Sequence, residues 1–166
     1  FGAGLAGNSS DSAAVIKGIN KLFSLGLTQE NMVEVGMMFG ADIPYCLTDQ
    51  PAFVSGIGEI IEPVQLDFKK YRLLLINPCE YIGTNEVFKL GDKIGYNQND
   101  IKQIKEYVKD NDIESLRENL FNSLEEIVVN NYEVIKNFRD LLIKHLGKKS
   151  LLMTGSGSSF IMIVPE

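Results

Sequence analysis

The first fourteen residues, Phe1-Gly-Ala-Gly-Leu-Ala-Gly-Asn-Ser-Ser-Asp-Ser-Ala-Ala14, constrain this chain more than any other stretch. Gly2, Gly4 and Gly7 fall where a backbone turns tightly. Glycine permits positive φ and lets a ligand approach the bare main chain. Ser9, Ser10 and Asp11 follow, each a residue type that caps helices, and an apolar run begins at Ala13. The pattern predicts a glycine loop feeding a helix N-terminus, whose unpaired N–H groups and partial positive charge suit a phosphate. A flexible turn ahead of a capped helix has the same residue pattern, and spacing alone leaves both open.

Gly2, Gly4 and Gly7 have the G-x-G-x-x-G spacing of a dinucleotide loop. That loop needs a strand before it and a ribose-binding acid about 20 residues on. Here no strand-like run leads in, and Asn20 stands at the second place, inside a helical pattern. The Gly-Lys-Ser/Thr of a Walker A loop is absent. So are the valine and the later H-R-D that go with a protein-kinase loop.

Gly2-Ala-Gly-Leu-Ala-Gly-Asn-Ser-Ser-Asp-Ser-Ala-Ala14 resembles the ATP loop of the GHMP kinases, which typically reads P-x-G-A-G-L-G-G-G-S-S-D-A-A. Gly40-Ala-Asp-Ile-Pro44 and Thr154-Gly-Ser-Gly157 resemble two later motifs of the same family, in the same order. The departures are Ala6 and Asn8 at family glycines and Ser12 at a family alanine. Asn tolerates positive φ, so Asn8 is expected to keep the loop's shape, and Ala6 is the greater departure if its family glycine has positive φ.

The resemblance implies an α+β fold in two lobes. Residues 1–66 would be the second half of an N-terminal ATP-binding lobe of the ribosomal protein S5 domain 2 type. Residues 67–166 would be a truncated, ferredoxin-like C-terminal lobe. It implies ATP as phosphoryl donor and Mg2+ as its ion. Gly2, Ala3, Gly4, Leu5, Ala6, Gly7, Asn8, Ser9 and Ser10 would cradle the triphosphate, with Ser10 also helping to hold the metal. Asp42 would take or orient the proton of the attacking hydroxyl. Thr84 and Phe88 would lie beside the acceptor, with the Phe88 ring against a cytosine. Gly155, Ser156 and Gly157 would support the phosphate loop. The acceptor implied is a small molecule, a cytidyl-methylerythritol alcohol of non-mevalonate isoprenoid synthesis. The alternatives are a family kinase for another alcohol, or a non-catalytic nucleotide-binding or structural fragment. The family also carries a lysine-bearing segment ahead of the loop, so the 166 residues by themselves are expected to turn over poorly.

Composition is that of a soluble globular chain, 45% hydrophobic and 23% charged. A net charge of −6 argues against nonspecific binding to nucleic acid or anionic membrane. A phosphate site would therefore be built locally, from backbone dipoles and a metal. Cys46 and Cys79 are too few to suggest a disulfide scaffold, which fits a cytoplasmic setting. No apolar run reaches the roughly 18 residues of a membrane span.

Further along, Ala13, Ile16, Ile19, Leu22 and Phe23 recur at helical spacing. Thr28 is placed to cap a second helix running to about Phe39, with Met32, Val33 and Met37 on its buried side. Taken without the resemblance, Gly40-Ala-Asp-Ile-Pro44 reads as a loop in which Asp42 forms the turn or caps it. Residues 52–61 read as a hairpin about Gly56–Gly58, with Glu59 structural. Residues 71–78 read as a buried strand ended by Pro78. Thr84 reads as the N-cap of a short helix, on which Phe88 is either core or site. Three amphipathic helices are expected: Ile101–Val108 after Asn99, Ile113–Ile127 after Asp112, and one buried through Val134, Phe138, Leu141, Leu142 and His145. Lys148 and Lys149 read as solvated. Residues 151–164 read as strand, glycine turn, strand.

Overall fold

The computed structural model describes residues 3–48, 50–97 and 99–166, so Gly2 of the predicted phosphate loop lies outside the described residues. The chain is α+β and separates into two compact units, 6–65 and 1–5 with 66–166.

In the first unit, α1 spans Gly7–Leu22, α2 Gln29–Met37 and α3 Ile43–Leu47. Helix α2 starts as its sequence asks. The Thr28 hydroxyl accepts from the Asn31 N–H, and the Asn31 side chain accepts from the Thr28 N–H. A small core joins the three helices: Ala13, Ile43 and Leu47 are buried, with Ile16, Met32, Val33 and Cys46 packed on them. Gly36 lets α2 and α3 close up, because a Cβ there would stand 2.9 Å from Ile43 Cγ2. The far end of the predicted α1 stripe is not buried: Ile19, Leu22 and Phe23 are exposed. The expected hairpin is present, β1 Ala52–Ser55 against β2 Ile60–Pro63. Glu59 is structural there, accepting the Ile57 N–H at 2.7 Å inside the turn.

In the second unit, β3 Tyr71–Ile76, β4 Leu151–Met153 and β5 Phe160–Pro165 form an antiparallel sheet in the order β3-β5-β4. The core is built on one side by α4 Thr84–Ile94, α7 Glu125–Asn131 and α8 Glu133–Leu146. Val87, Ile127, Val128, Ile135 and Leu142 pack there with Ile82, Met153 and Phe160. Helices α5 Ile101–Lys109 and α6 Ile113–Asn119 carry Ile104, Val108, Ile113 and Leu116 inward. Arg117 is buried on α6 and donates to the Ile163 carbonyl at 3.0 Å and to both oxygens of Glu114.

Three expectations are corrected here. Strand β3 is a sheet edge, with Leu73, Leu74 and Leu75 exposed, rather than a buried strand. The helix expected over 113–127 is two, α6 and α7, broken at 120–124. The buried residues of α8 are Ile135 and Leu142, while Val134 and Leu141 face solvent. Lys149 is exposed, as expected, and pairs at the surface with Glu114 and Glu118. Cys46 and Cys79 are free thiols.

Candidate active site

The glycine loop enters α1 differently from the capping scheme. The N-cap is Ala6, in the left-handed region at φ 48° and ψ 31°, with no side-chain cap. Ser9, Ser10 and Asp11 are therefore residues of the helix's first turns rather than caps before it. Asn8 is helical, so the positive φ falls on Ala6 and not on the asparagine. The first-turn N–H groups of α1, ahead of Ser10, have no carbonyl one turn back within the helix. They and the exposed Ser10 hydroxyl form a polar, positively polarised end.

Asp42 belongs to the same unit. It is the N-cap of α3, yet its side chain makes no capping hydrogen bond, and it is exposed. Pro44 lies within α3 rather than in a loop, where its missing N–H costs nothing in the first turn. The turn reading of Asp42 is thus half met: the backbone turns, but the carboxylate is not spent on the turn. Its place is set on two sides. Ile43 is buried in the cluster that holds Ala13, and Ala13 stands about one helical turn, roughly 5 Å, along α1 from Ser9 and Ser10. The β1–β2 hairpin lies against the Ala41 carbonyl, which is 2.1 Å from where a Cβ on Gly58 would stand. Burial and then the Asp42 charge push the Cys46 thiol up.

In the other unit, the turn of residues 154–159 gathers several predicted residues. Gly4, at φ 70°, lies on this turn: a Cβ there would stand 2.2 Å from the Thr154 carbonyl oxygen and 2.9 Å from that of Gly157. The Ser159 N–H donates to the Ala3 carbonyl at 3.4 Å. Gly155 and Gly157 both have positive φ, and Ser156 is buried with its hydroxyl 2.9 Å from Thr84 Oγ1. Thr84 is the first residue of α4, not its cap, which is Gly83. This leaves the threonine hydroxyl to Ser156. Phe88 lies one turn further on, at i+4 and on the same side of α4. It is 47% exposed, so it is not a core residue.

Residues that the sequence reading missed hold this turn. Asn122 donates to the carbonyls of Met153 and Gly155, at 2.8 and 2.7 Å. Asn77 donates to Ser159 Oγ at 2.8 Å, and Ser158 donates to the Glu80 carbonyl. Glu125 accepts the Met153 N–H at 2.9 Å. Burial pushes its carboxyl up, opposed by that hydrogen bond and by Arg139. No sequence signal marks them: Asn122 and Glu125 lie off the apolar stripe of Ile113, Leu116, Leu120, Leu124 and Ile127, on the face that a helical period assigns to solvent.

Over residues 1–57 the sequence matches the model of the GHMP kinases N terminal domain, and over 101–166 that of the GHMP kinases C terminal domain. The chain belongs to the GHMP kinases. Within that family it is similar to proteins named 4-diphosphocytidyl-2-C-methyl-D-erythritol kinase. Those of Caldicellulosiruptor saccharolyticus and Alkaliphilus oremlandii are 38% and 35% identical to it over 93% of this chain and 53% of theirs. That of Clostridium beijerinckii is 34% identical over 99% of this chain and 58% of its own. A crystal structure of 4-(cytidine 5'-diphospho)-2C-methyl-D-erythritol kinase superposes with a TM-score of 0.73 at 26% identity, covering 99% of this chain and 58% of that one. The chain spans about half the length of the curated relatives it matches. Among the described residues no helix is long and apolar enough to cross a membrane.

Proposed function

We propose that these residues belong to a kinase that moves the γ-phosphate of ATP to the 2-hydroxyl of 4-diphosphocytidyl-2-C-methyl-D-erythritol, in cytoplasmic isoprenoid precursor synthesis. The observation that carries the reading is Asp42: a carboxylate at a helix N-cap that does not cap it, one core contact away from the open end of α1. The relatives' names supply the acceptor.

The roles follow from the chemistry of phosphoryl transfer, in which the protein mainly positions groups and stabilises charge. The backbone from Gly2 through Ala3, Gly4, Leu5, Ala6, Gly7 and Asn8 to Ser9 and Ser10 holds the triphosphate, with the N–H groups at the start of α1 facing its anionic oxygens. Mg2+ prefers oxygen donors and is commonly carried with phosphates. The Ser10 hydroxyl, exposed in that first turn, is a donor of the right kind. The ion supplies charge neutralisation on the phosphate oxygens when bound. The acceptor hydroxyl oxygen forms a bond to the γ-phosphorus as its proton passes to Asp42. The bond from phosphorus to the bridging oxygen breaks and ADP leaves with that electron pair. Thr84 and the exposed ring of Phe88 contact the acceptor, the ring stacking on its cytosine. Gly155, Ser156 and Gly157 support the loop through Gly4.

Asp42→Asn in the complete gene product tests this. A positioned proton acceptor contributes about 10²–10⁴-fold to rate. The variant should lose kcat by that order while the KM for ATP stays within twofold. A variant with unchanged kcat overturns the assignment of Asp42.

A further inference from the structure

The turn at residues 154–159 touches the glycine loop at Ala3 and Gly4, chiefly through backbone atoms, with the Thr154 hydroxyl 3.5 Å from the Ala3 carbonyl. Such a contact transmits position only if the turn itself is fixed. Two of its residues, Gly155 and Gly157, carry no side chain with which to fix it. The serines of the turn are held through their hydroxyls by Thr84, Glu80 and Asn77, and Asn122 holds the backbone at its glycine start. Its amide nitrogen gives one hydrogen to the Met153 carbonyl at 2.8 Å and the other to the Gly155 carbonyl at 2.7 Å. Its oxygen accepts the Leu124 N–H at 2.9 Å, so the side chain is anchored at the start of α7 while it holds the turn. Three residues on, Glu125 accepts the Met153 N–H at 2.9 Å. The pair therefore grips both backbone polar groups of Met153 and the first carbonyl of the glycine turn. The same asparagine explains the break between α6 and α7, because its side chain takes up a backbone N–H that a continuous helix would pair internally.

We propose that Asn122 is a positioning residue for the nucleotide grip, with Glu125 as its partner. It acts through the glycine turn and Gly4 and touches neither substrate. This rests on the reading of the glycine loop as the triphosphate cradle. The thermodynamic expectation is selective. Losing Asn122 leaves two carbonyls without a donor and lets the turn shift under Gly4, which weakens ATP and not the acceptor.

The test is steady-state kinetics of Asn122→Ala and Asn122→Ser in the complete gene product, beside Gly155→Ala. The last disturbs the turn from within, by adding a Cβ 3.3 Å from the Gly4 carbonyl oxygen at φ 49°. All three should raise the KM for ATP by about tenfold, the equivalent of one lost hydrogen bond at about 1.4 kcal/mol. The KM for the acceptor should stay within twofold, and the circular dichroism spectrum should be that of the parent. Of the two asparagine variants, whichever folds carries the test. If a folded Asn122 variant keeps the parent KM for ATP, or raises both KM values equally, the positioning role is overturned. If the parent protein itself fails to bind ATP, the cradle reading falls first and is recognised as the failure by that control.

Discussion

Alanine is a strained choice at φ 48°, and Ala6 holds that angle at the entry to α1. An L-residue in the left-handed region costs roughly 1–2 kcal/mol, part of which glycine gives back through its freedom in the unfolded chain. Ala6→Gly should therefore raise stability by about 0.5–1 kcal/mol, read as a higher urea midpoint at unchanged m-value. A lower midpoint would contradict the geometry. Gly4 has the opposite character. Gly4→Ala would drive a Cβ to 2.2 Å from the Thr154 carbonyl, so the loop and the turn must separate. The variant should fold and lose measurable ATP affinity in a nucleotide titration, and parent-like affinity would show that this contact is dispensable. At this scale the sequence was a good guide to residue type and a poor one to backbone angle. The excess of small residues was visible, but which of Ala6 and Asn8 takes positive φ depends on the helix beginning at Gly7, and the serine-rich run hid that start.

Among the elements, α6 carries the clearest electrostatic device. Arg117, buried against β5, holds the Glu114 carboxyl at about 2, first by hydrogen bonding, with Lys149 adding to it. A carboxylate whose pKa is lowered on folding gives stability that is present above its unfolded value, near 4.5, and lost as pH falls toward the folded one. Acid unfolding should accordingly steepen between pH 4.5 and 2, and Glu114→Gln should flatten that limb of the stability profile. An unchanged profile would show the pair to be idle. Burial moves Glu125 the other way. Its raised carboxyl contributes stability below the ordinary value of 4.5 that is lost as pH rises through its folded pKa. The element types were legible wherever a polar–apolar period ran unbroken, as in α2, α5, α8, the hairpin and the β4–β5 pair. The period over 113–127 continued across a break that a single asparagine side chain makes. The run of leucines in β3 reads as buried from residue type alone, and its place at the sheet edge is a property of strand order that no local pattern encodes.

Taken whole, the molecule exposes more large apolar side chains than its ordinary composition foreshadows. In the 6–65 unit, Leu22 is 77% exposed, Met38 79%, Phe39 75% and Ile57 73%. Exposed apolar surface of this kind marks an interaction surface or an aggregation liability. Replacing Leu22, Met38 and Phe39 together by lysine should leave the helical circular dichroism intact and raise the solubility of the 166-residue chain several-fold, since lost burial is small where exposure is already high. Loss of the folded signal would mean that these side chains are packed after all. The family assignment was legible in three short motifs because their glycines, serines and acid answer to chemistry rather than to packing. The braces of those motifs, Asn77, Asn122 and Glu125, were not, because each is defined by a partner far away in sequence.

The central claim is that the start of α1 grips a nucleoside triphosphate whose terminal phosphoryl group passes to an alcohol deprotonated at Asp42. The most direct measurement is transfer of labelled γ-phosphate from ATP to 4-diphosphocytidyl-2-C-methyl-D-erythritol by the complete gene product, with and without Asp42→Asn. The account predicts a labelled acceptor phosphorylated at the 2-hydroxyl, with the rate falling about 10²–10⁴-fold in the variant. Label that never reaches the acceptor, or that reaches it equally fast without the Asp42 carboxylate, would contradict it.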